Sequence, residues 1–359
     1  MKKNLFSLIY GAALFLFTLF IALDTFVLRA SYQTEATQMD TSMLTEIAPI
    51  ENGTETPKPS SAEPYVPDDR PAPGELSGER QNEKPPSDRS GRSDPSDSEP
   101  GISVAPAEDI AASADKGTAS ITDTTYQDEN ISISMSEFVQ YDTVIYVADI
   151  RLSSIEYLKT AFAENTYGKN ITAKTSEIAS EHNAILAING DYYGAQEKGY
   201  VIRNGILFRE KSNSEDVLCV YADGTMAVAD PDTVTAQELA DSGVWQAFSF
   251  GPGLLENGQI TVTQDQEVGR SKASNPRTAI GMIAPGHYVF VVSDGRTEDS
   301  AGLSLYQLAQ IMQSLGVQVG YNLDGGGSST MVFMGEIVNN PTTGGRIKER
   351  SVSDIVYIG

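Results

Sequence analysis

The sequence has little of the residues that cross-link a chain or bind transition metals. It contains one cysteine, Cys219, and two histidines, His182 and His287. A single cysteine excludes an internal disulfide, and its place in the apolar run Val217–Tyr221 predicts a small core residue. The histidines lie in unrelated contexts, and each is more typical of a helix-end or loop residue than of a metal ligand. A zinc centre is therefore not expected.

Basic residues are also scarce. The chain has 25 Lys and Arg residues against 49 Asp and Glu residues, which gives a formal charge of −24. Such a surface repels phosphate backbones and excludes nucleic acid as a partner. It attracts divalent cations diffusely, but diffuse attraction is not a binding site. Nothing in the composition indicates a protein partner.

The first 30 residues predict a membrane anchor. Lys2 and Lys3 precede an uncharged apolar run over residues 5–23, which is long enough for a transmembrane helix whose N-terminus stays in the cytoplasm. A cleaved secretory signal is the alternative. In both cases residues beyond 30 would lie outside the cytoplasm. We expect a single-pass protein at a bacterial surface, because a large extracytoplasmic domain without disulfides is typical of bacteria.

Residues 31–126 predict a disordered linker. They are rich in Pro, Ser and acidic residues, poor in aromatic residues, and show no sustained apolar periodicity. Such a segment cannot bury enough apolar surface to offset its conformational entropy. Its charge predicts an extended stalk that separates residues 127–359 from the membrane.

Residues 127–359 predict one α+β domain with a large mixed, mostly antiparallel sheet and a few packed helices. Ser304 and Gln307 form a capping-box pattern that begins a helix, and Gly316 marks its end. Two further helices are predicted over residues 172–182 and 235–241. Strands are predicted over residues 131–135, 143–150, 184–188, 200–203, 206–209, 216–221, 225–229, 277–283, 287–293, 319–323, 330–333 and 353–358.

The stretch from Tyr321 to Met331 carries the richest polar chemistry. It places a carboxylate, Asp324, at the end of an apolar strand and directly before Gly325, Gly326 and Gly327. Glycines accept positive φ, so the backbone could direct successive N–H groups at one anion. The hydroxyls of Ser328 and Ser329 follow. A simple hairpin turn is the alternative interpretation.

Other polar clusters follow or begin apolar strands, and together they suit a sugar phosphate. Two tyrosines offer faces for a sugar, two asparagines offer paired donors and acceptors, and two arginines offer forked donors for phosphate. With Asp191, these candidates are Asn189, Tyr192, Tyr193, Arg277, Arg296 and Asn322.

Four of these segments, in this order, resemble the phosphodiester glycosidase family. They are residues 187–193, 276–281, 294–296 and 322–329, with the sequences AINGDYY, PRTAIG, DGR and NLDGGGSS. The resemblance extends from about residue 131 to residue 359, and this chain has Asp191 where relatives often have a second glycine. It implies a hydrolase that removes a sugar such as N-acetylglucosamine from a phosphodiester. Bacterial members are described as exopolysaccharide-related.

Cleavage of the C1–O bond of a sugar 1-phosphodiester requires a carboxylate, whereas a general acid is dispensable. The phosphate leaving group is already a weak base, so its protonation contributes little. The carboxylate would act as nucleophile or base, with Asp324 as first candidate and Asp294 as second. No cofactor is expected.

Three other readings remain open from the sequence. One is a non-catalytic module that binds a phosphorylated polysaccharide through the same arginines and tyrosines. The second is a divalent-cation phosphodiesterase with Asp191, Asp294 and Asp324 as oxygen ligands. A serine hydrolase fits less well, because no nucleophile-elbow pattern surrounds Ser328.

Overall fold

The computed structural model describes residues 2–26, 28–32, 37–39, 41–47, 119–266 and 274–359. The chain divides into two units, residues 1–61 with 117–359 and residues 62–116. Most of the predicted linker, residues 48–118, lies outside the described residues, so its predicted disorder stays a prediction.

The largest sheet has nine strands, and their order runs from a short hairpin at one edge to another at the opposite edge. The strands, in spatial order, are Gln259–Ile260, Gly253–Glu256, Val319–Asn322, Arg277–Ala284, His287–Ser293, Thr143–Leu152, Ile131–Gln140, Thr125–Gln127 and Ser120–Ile121.

Two smaller sheets complete the domain. The six-stranded sheet has the order Met226–Ala229, Val217–Tyr221, Val244–Phe248, Val201–Arg203, Ile206–Arg209 and Thr37–Gln38. The five-stranded sheet has the order Glu336–Ile337, Met331–Phe333, Leu186–Asn189, Asp354–Ile358 and Leu158–Phe162. Three two-stranded pairs join Ala30–Ser31 to Gly168–Lys169, Thr342–Thr343 to Arg346–Ile347, and Ser351–Val352 to Ala173–Lys174.

The α+β class is confirmed, but the sheet prediction was too simple. Every strand pair among the described residues is antiparallel, and the strands form three main sheets rather than one. The alternation of apolar residues predicts which segments form strands. It does not predict which distant strands pair, because packing of the whole domain decides that pairing.

The described residues form four α-helices: α1 (Lys2–Phe26), α2 (Thr175–Glu181), α3 (Ala236–Asp241) and α4 (Leu305–Ser314). Short 3-10 turns lie at Thr41–Met43, Ile155–Tyr157, Ala163–Asn165, Tyr193–Ala195 and Gly326–Ser328. The predicted capping box is confirmed, because Ser304 accepts from the Gln307 amide and the Gln307 side chain accepts from the Ser304 amide. Within the described part of the chain, no helix combines the length and apolarity that crossing a membrane requires.

The large sheet has an apolar core on each face. On one face Ile280, Tyr288 and Phe290 pack toward the two smaller sheets. On the other face the alternate residues, such as Val289 and Val291, pack against α4. Alternation along the strands therefore gives both faces a buried layer. Cys219 is fully buried in a third cluster, as predicted.

The N-terminal segment corrects the predicted linker boundary. Thr37–Gln38 pairs with Ile206–Arg209, Met39 is buried, and the Ile47 side chain lies against Gly224 and Gly286. A disordered linker that begins at residue 31 is therefore wrong for these residues. The prediction used the average composition of residues 31–126, in which this short segment has little weight. The segment is ordered because it pairs with another strand, not because of its own sequence pattern.

Candidate active site

Asp324 lies where the large sheet meets the five-stranded sheet. It follows the strand Val319–Asn322, which pairs with Arg277–Ala284, and its amide donates to the Gly190 carbonyl at 3.3 Å. The Asn189 amide group donates to the Asp324 carbonyl at 2.6 Å. Two sheets therefore fix the backbone that carries this carboxylate.

Asn189 is a structural hub of the site rather than a free sugar-binding group. Its Oδ1 accepts from the Thr278 hydroxyl at 2.9 Å and from the Thr330 amide at 3.3 Å. Its Nδ2 donates to the carbonyls of Gly190 and Asp324. Because the side chain is fully buried and both ends are bonded, it holds three segments together.

Each of the three glycines has a close neighbour that a side chain would meet. A Cβ on Gly325 would lie 2.9 Å from the Pro276 carbonyl oxygen. A Cβ on Gly326, which has φ +65°, would lie 3.0 Å from Nη2 of Arg296. A Cβ on Gly327 would lie 2.9 Å from Nη2 of Arg350. The glycines therefore allow close approach of the backbone to two guanidinium groups.

Arg277 also contacts this turn. Its Cδ would lie 3.9 Å from a Cβ on Gly325, and its Nε donates to the Leu303 carbonyl at 2.9 Å. Arg277 is buried, while Arg296 and Arg350 are exposed. Arg296 is oriented by Asn275, whose Oδ1 accepts from its Nη2 at 2.7 Å. The guanidinium groups of Arg296 and Arg350 thus lie against the turn that follows Asp324, and the side chain of Arg277 passes beside it.

The three glycine amides do not form the anion-binding cradle that the sequence predicted. The Gly326 amide donates to the Pro276 carbonyl at 2.8 Å, and the Gly325 amide stabilises the Asp324 carboxylate. Only Gly326 of the three has positive φ, so the turn is a short 3-10 turn and not a concavity of three convergent donors. Cationic side chains, more than backbone amides, are the groups that could bind an anion here.

The Asp324 carboxyl is partly buried, and burial raises its pKa to about 6. The Asp191 charge also raises the pKa, while Ser328, Arg350 and the Gly325 amide lower it. The Ser328 hydroxyl makes no hydrogen bond of ordinary geometry to any described residue, so it acts on the Asp324 carboxyl as a nearby dipole. The carboxyl can thus change protonation near neutral pH.

Asp191 belongs to a buried ionic triad below the site. Arg203 donates from Nη2 to Asp191 and from Nε to Asp354, each at 2.9 Å. Asp191 also accepts from the amides of Tyr193 and Ser249. The triad links the six-stranded sheet, which carries Arg203, to the five-stranded sheet, which carries Asp354. It stabilises the architecture around the site.

The two predicted tyrosines have different environments. Tyr192 is 45% exposed with φ +66°. Tyr193 is buried and stacks on Tyr167 with 5.2 Å between ring centroids. Tyr192 can therefore offer a ring face to a ligand, whereas Tyr193 is committed to an aromatic cluster.

Asp294 is buried and its oxygens are occupied. Oδ1 accepts from the Asn340 amide at 2.8 Å, and Oδ2 accepts from the Asn340 side chain at 3.0 Å and from the Tyr146 hydroxyl at 3.3 Å. Asn339, which donates to Oδ1 at 3.3 Å, also donates to the Ser329 carbonyl. These contacts suit a residue that supports the segment after the glycines. Its predicted second rank as catalytic carboxylate stays a prediction.

Several polar atoms near the turn are buried without a partner among the described residues. They are the hydroxyls of Ser328, Ser329 and Thr330 and the Oδ1 of Asn322, whose Nδ2 donates to the Gly251 carbonyl. Buried polar atoms in proteins are nearly always paired with protein, water or ligand. These four atoms have almost no accessible surface, so an internal water is the partner that fits them.

The carboxylates do not form a cation site. Asp191 is paired with Arg203, Asp294 with Asn339 and Asn340, and only Asp324 lacks such strong partners. Across the described ranges, no group of three or more His, Cys, Asp or Glu side chains could hold a metal ion. Asp191, Asp294 and Asp324 are therefore not grouped as a set of cation ligands among the described residues.

Three residues of this region had no place in the sequence-based prediction. Arg203 and Asp354 lie at ends of apolar strands, and a charged residue there is normally solvent-exposed. For Asp354, the sequence did contain a signal: a charged residue directly before the apolar residues Ile355–Ile358. Arg350 lies in a polar segment, and nothing in the pattern around it indicates a contact with Gly327.

A sequence profile described as phosphodiester glycosidase matches residues 182–359. Human N-acetylglucosamine-1-phosphodiester alpha-N-acetylglucosaminidase is 36% identical over an alignment of 189 residues that covers 47% of this chain and 36% of the human protein. The SPbeta prophage-derived uncharacterized protein YomE of Bacillus subtilis is 28% identical over an alignment of 187 residues that covers 50% of this chain and 29% of YomE. The chain spans about a third of the length of these curated relatives.

A solved structure has a similar fold. It is the zebrafish N-acetylglucosamine-1-phosphodiester alpha-N-acetylglucosaminidase catalytic domain auto-inhibited by its pro-peptide, with a TM-score of 0.52 at 21% identity. The match covers 64% of this chain and 82% of the zebrafish chain. At this identity the likeness shows the fold alone.

Proposed function

Because residues 182–359 belong to the phosphodiester glycosidase family, we propose that this protein hydrolyses the C1–O bond of a sugar joined to a phosphodiester. The observation that carries the proposal is the position of Arg277, Arg296 and Arg350 around the turn that follows Asp324. A carboxylate at this position can act at the electrophilic sugar carbon, and the neighbouring guanidinium groups can bind the phosphate.

The arginines would bind the phosphate and stabilise the charge that develops on it as the bond breaks. Guanidinium groups form paired hydrogen bonds with phosphate oxygens, and charge stabilisation at the departing group is a large catalytic term. An acid is not needed for this leaving group. That is consistent with a site in which Asp324 is the one carboxyl that is both partly accessible and not paired to Arg or Asn side chains.

Asp324 would act in its ionised form, either as nucleophile at C1 or as base for the attacking water. Tyr192, which is exposed at the end of the neighbouring strand, is the candidate platform for the sugar ring.

Hydrolysis in ¹⁸O-labelled water tests the bond that breaks. Cleavage at C1–O leaves the phosphate monoester unlabelled, because water oxygen enters the sugar. The phosphate product is the one to analyse by mass spectrometry, since the anomeric oxygen of a free sugar exchanges with water. Label in the phosphate would mean P–O cleavage and would overturn the proposal.

The pH dependence tests the role of Asp324. With a pKa of about 6, kcat/KM is expected to fall about tenfold per pH unit below that value, because the ionised form reacts. Arg350 lowers the pKa of Asp324, so Arg350→Gln should move this acid limb to higher pH. Since Arg350 is exposed, the shift should shrink in high salt.

Arg296→Gln is the matched control for that measurement. It removes the same charge from the same turn, but Arg296 is bonded to Asn275 and is not among the groups that set the Asp324 pKa. It should lower the rate and move the acid limb less. An acid limb at the same pH in wild type and Arg350→Gln would contradict the assignment of Asp324 as the ionising group.

The location and the natural glycan are part of the proposal. Lys2, Lys3 and the apolar run over residues 5–23 support export from the cytoplasm through a secretory signal. We propose a phosphorylated surface polysaccharide or exopolysaccharide as substrate. Fractionation of cells with an antibody to the domain would test the location.

A further inference from the structure

We propose that a basic flap, residues 341–350, binds a second anionic group of the substrate next to the scissile phosphate. The inference rests on the proposed function and makes it narrower, because it predicts a polyanionic glycan rather than a sugar linked to a neutral alcohol.

The flap is built as a rigid hairpin. Thr342–Thr343 pairs with Arg346–Ile347, and Gly344 and Gly345 form its tip with φ of +61° and +73°. These positive values are those of a tight two-residue turn, which favours glycine. The Lys348 amide donates to the Pro341 carbonyl at 2.7 Å and closes the base.

The flap is joined directly to the turn that follows Asp324. The Thr343 hydroxyl and the Arg350 amide both donate to the Gly327 carbonyl, each at 3.2 Å. The Arg350 guanidinium lies against Gly327, and its charge acts on the Asp324 carboxyl. The hairpin therefore starts at the candidate active site and extends from it into solvent.

The charge of the flap is opposite to that of the chain. Its ten residues include three basic side chains and one acidic side chain, whereas the whole chain has 25 basic and 49 acidic residues. Arg346, Lys348 and Arg350 are exposed. Glu349 is buried and turned away, because its carboxylate accepts from the amide and hydroxyl of Ser176.

This separation gives a local positive surface beside the site. Glu349 is bonded to Ser176 in the first turn of α2, so it does not pair with the neighbouring cations at the flap surface. The large net negative charge would repel a polyanion everywhere else. A positive strip that begins at the scissile phosphate would steer the next phosphate or carboxylate of the chain to one side of the site.

The test compares two synthetic ligands on two variants. The ligands are a sugar 1-phosphoglycerol with one phosphate and the same compound with a second phosphate on the glycerol. Binding is measured by calorimetry with Asp324→Asn, which removes the proposed catalytic carboxylate, so the measurement does not depend on turnover. The flap variant adds Arg346→Gln and Lys348→Gln, and the control variant adds Arg151→Gln and Lys159→Gln instead.

We expect the doubly charged ligand to bind about tenfold more tightly than the singly charged ligand, with a difference that decreases in high salt. The flap substitutions should remove most of that preference and change binding of the singly charged ligand less than about twofold. The control variant should keep the preference. Equal weakening of both ligands, or a preference that survives the flap substitutions, would overturn the proposal.

Failure of the proposed function would look different. In that case wild type would release no sugar from either compound, while the binding comparison would still report on the flap. Conversely, turnover of both compounds at equal kcat/KM, with equal affinities in the Asp324→Asn background, would retain the proposed function and refute the role of the flap.

Discussion

Asp324→Asn is expected to reduce release of sugar from a sugar 1-phosphodiester by about 10³-fold or more, with the fold intact. The amide keeps the size of the side chain but removes the charge needed at C1. Loss of a positioned acid–base group alone costs about 10²–10⁴-fold, and loss of a nucleophile also removes the covalent route. Sugar release is measured by chromatography with enzyme in excess.

Stability provides an independent check on that variant. Burial raises the pKa of Asp324 to about 6 in the folded state, so ionisation is less favourable than in the unfolded chain. Stability is lost as pH rises from about 4 to about 6. The Asn variant lacks this loss and should be at least as stable as wild type at pH 8, as measured by urea unfolding.

Asp232→Asn, at an exposed turn position, controls for the loss of one negative charge and should retain full activity. Wild-type turnover in Asp324→Asn would remove Asp324 from the mechanism. Tight binding of the phosphodiester by Asp324→Asn, with no turnover by wild type, would instead favour the non-catalytic binding module.

Local patterns in the sequence predicted many of the elements that carry the site. The strand Ile206–Arg209 has the predicted bounds, and the capping box of α4 forms between the predicted residues. These features depend on neighbours within a few positions, so the sequence contains them directly.

The strands Leu158–Phe162, Val244–Phe248 and Gly253–Glu256 were not predicted. Val244–Phe248 is buried along its whole length, so it shows no alternation of apolar and polar residues, and it begins directly after α3. Such strands are recognisable by their pairing partners, which lie far away in the chain.

The same limit applies to the candidate site. Asp324, the glycines and two arginines stood out because each begins or ends a recognisable strand. Asn189 was chosen for its chemistry, but its role as a buried hub depends on Thr278 and Thr330, which only the fold brings to it. Arg350 reaches Gly327 through a hairpin contact that no spacing rule encodes.

The second large effect is expected on stability, for Arg203→Met. Arg203 is buried and is the shared partner of Asp191 and Asp354. Met fits the volume but leaves two carboxylates without their counter-charge. Removing one partner from a buried ion pair costs about 3–5 kcal/mol, so the urea midpoint should fall steeply.

The pH dependence distinguishes lost charge pairing from lost packing. Burial raises the pKa of Asp354 to about 7 even though Arg203 opposes the rise. Without Arg203 the Asp354 carboxyl becomes harder still to ionise in the folded state, because Arg203 opposes the rise of its pKa. The destabilisation should therefore be smallest near pH 4, where Asp354 can be protonated, and should grow as pH rises toward 8.

Arg203→Lys is the matched comparison. It keeps one positive charge but cannot donate to both carboxylates with a planar fork, so its unfolding free energy should lie between those of wild type and Arg203→Met. If Arg203→Met lost the same stability at pH 5 and pH 8, the effect would come from packing against Phe248, whose ring lies 4.3 Å from the guanidinium carbon. The triad would then not be the ionic link between the two smaller sheets.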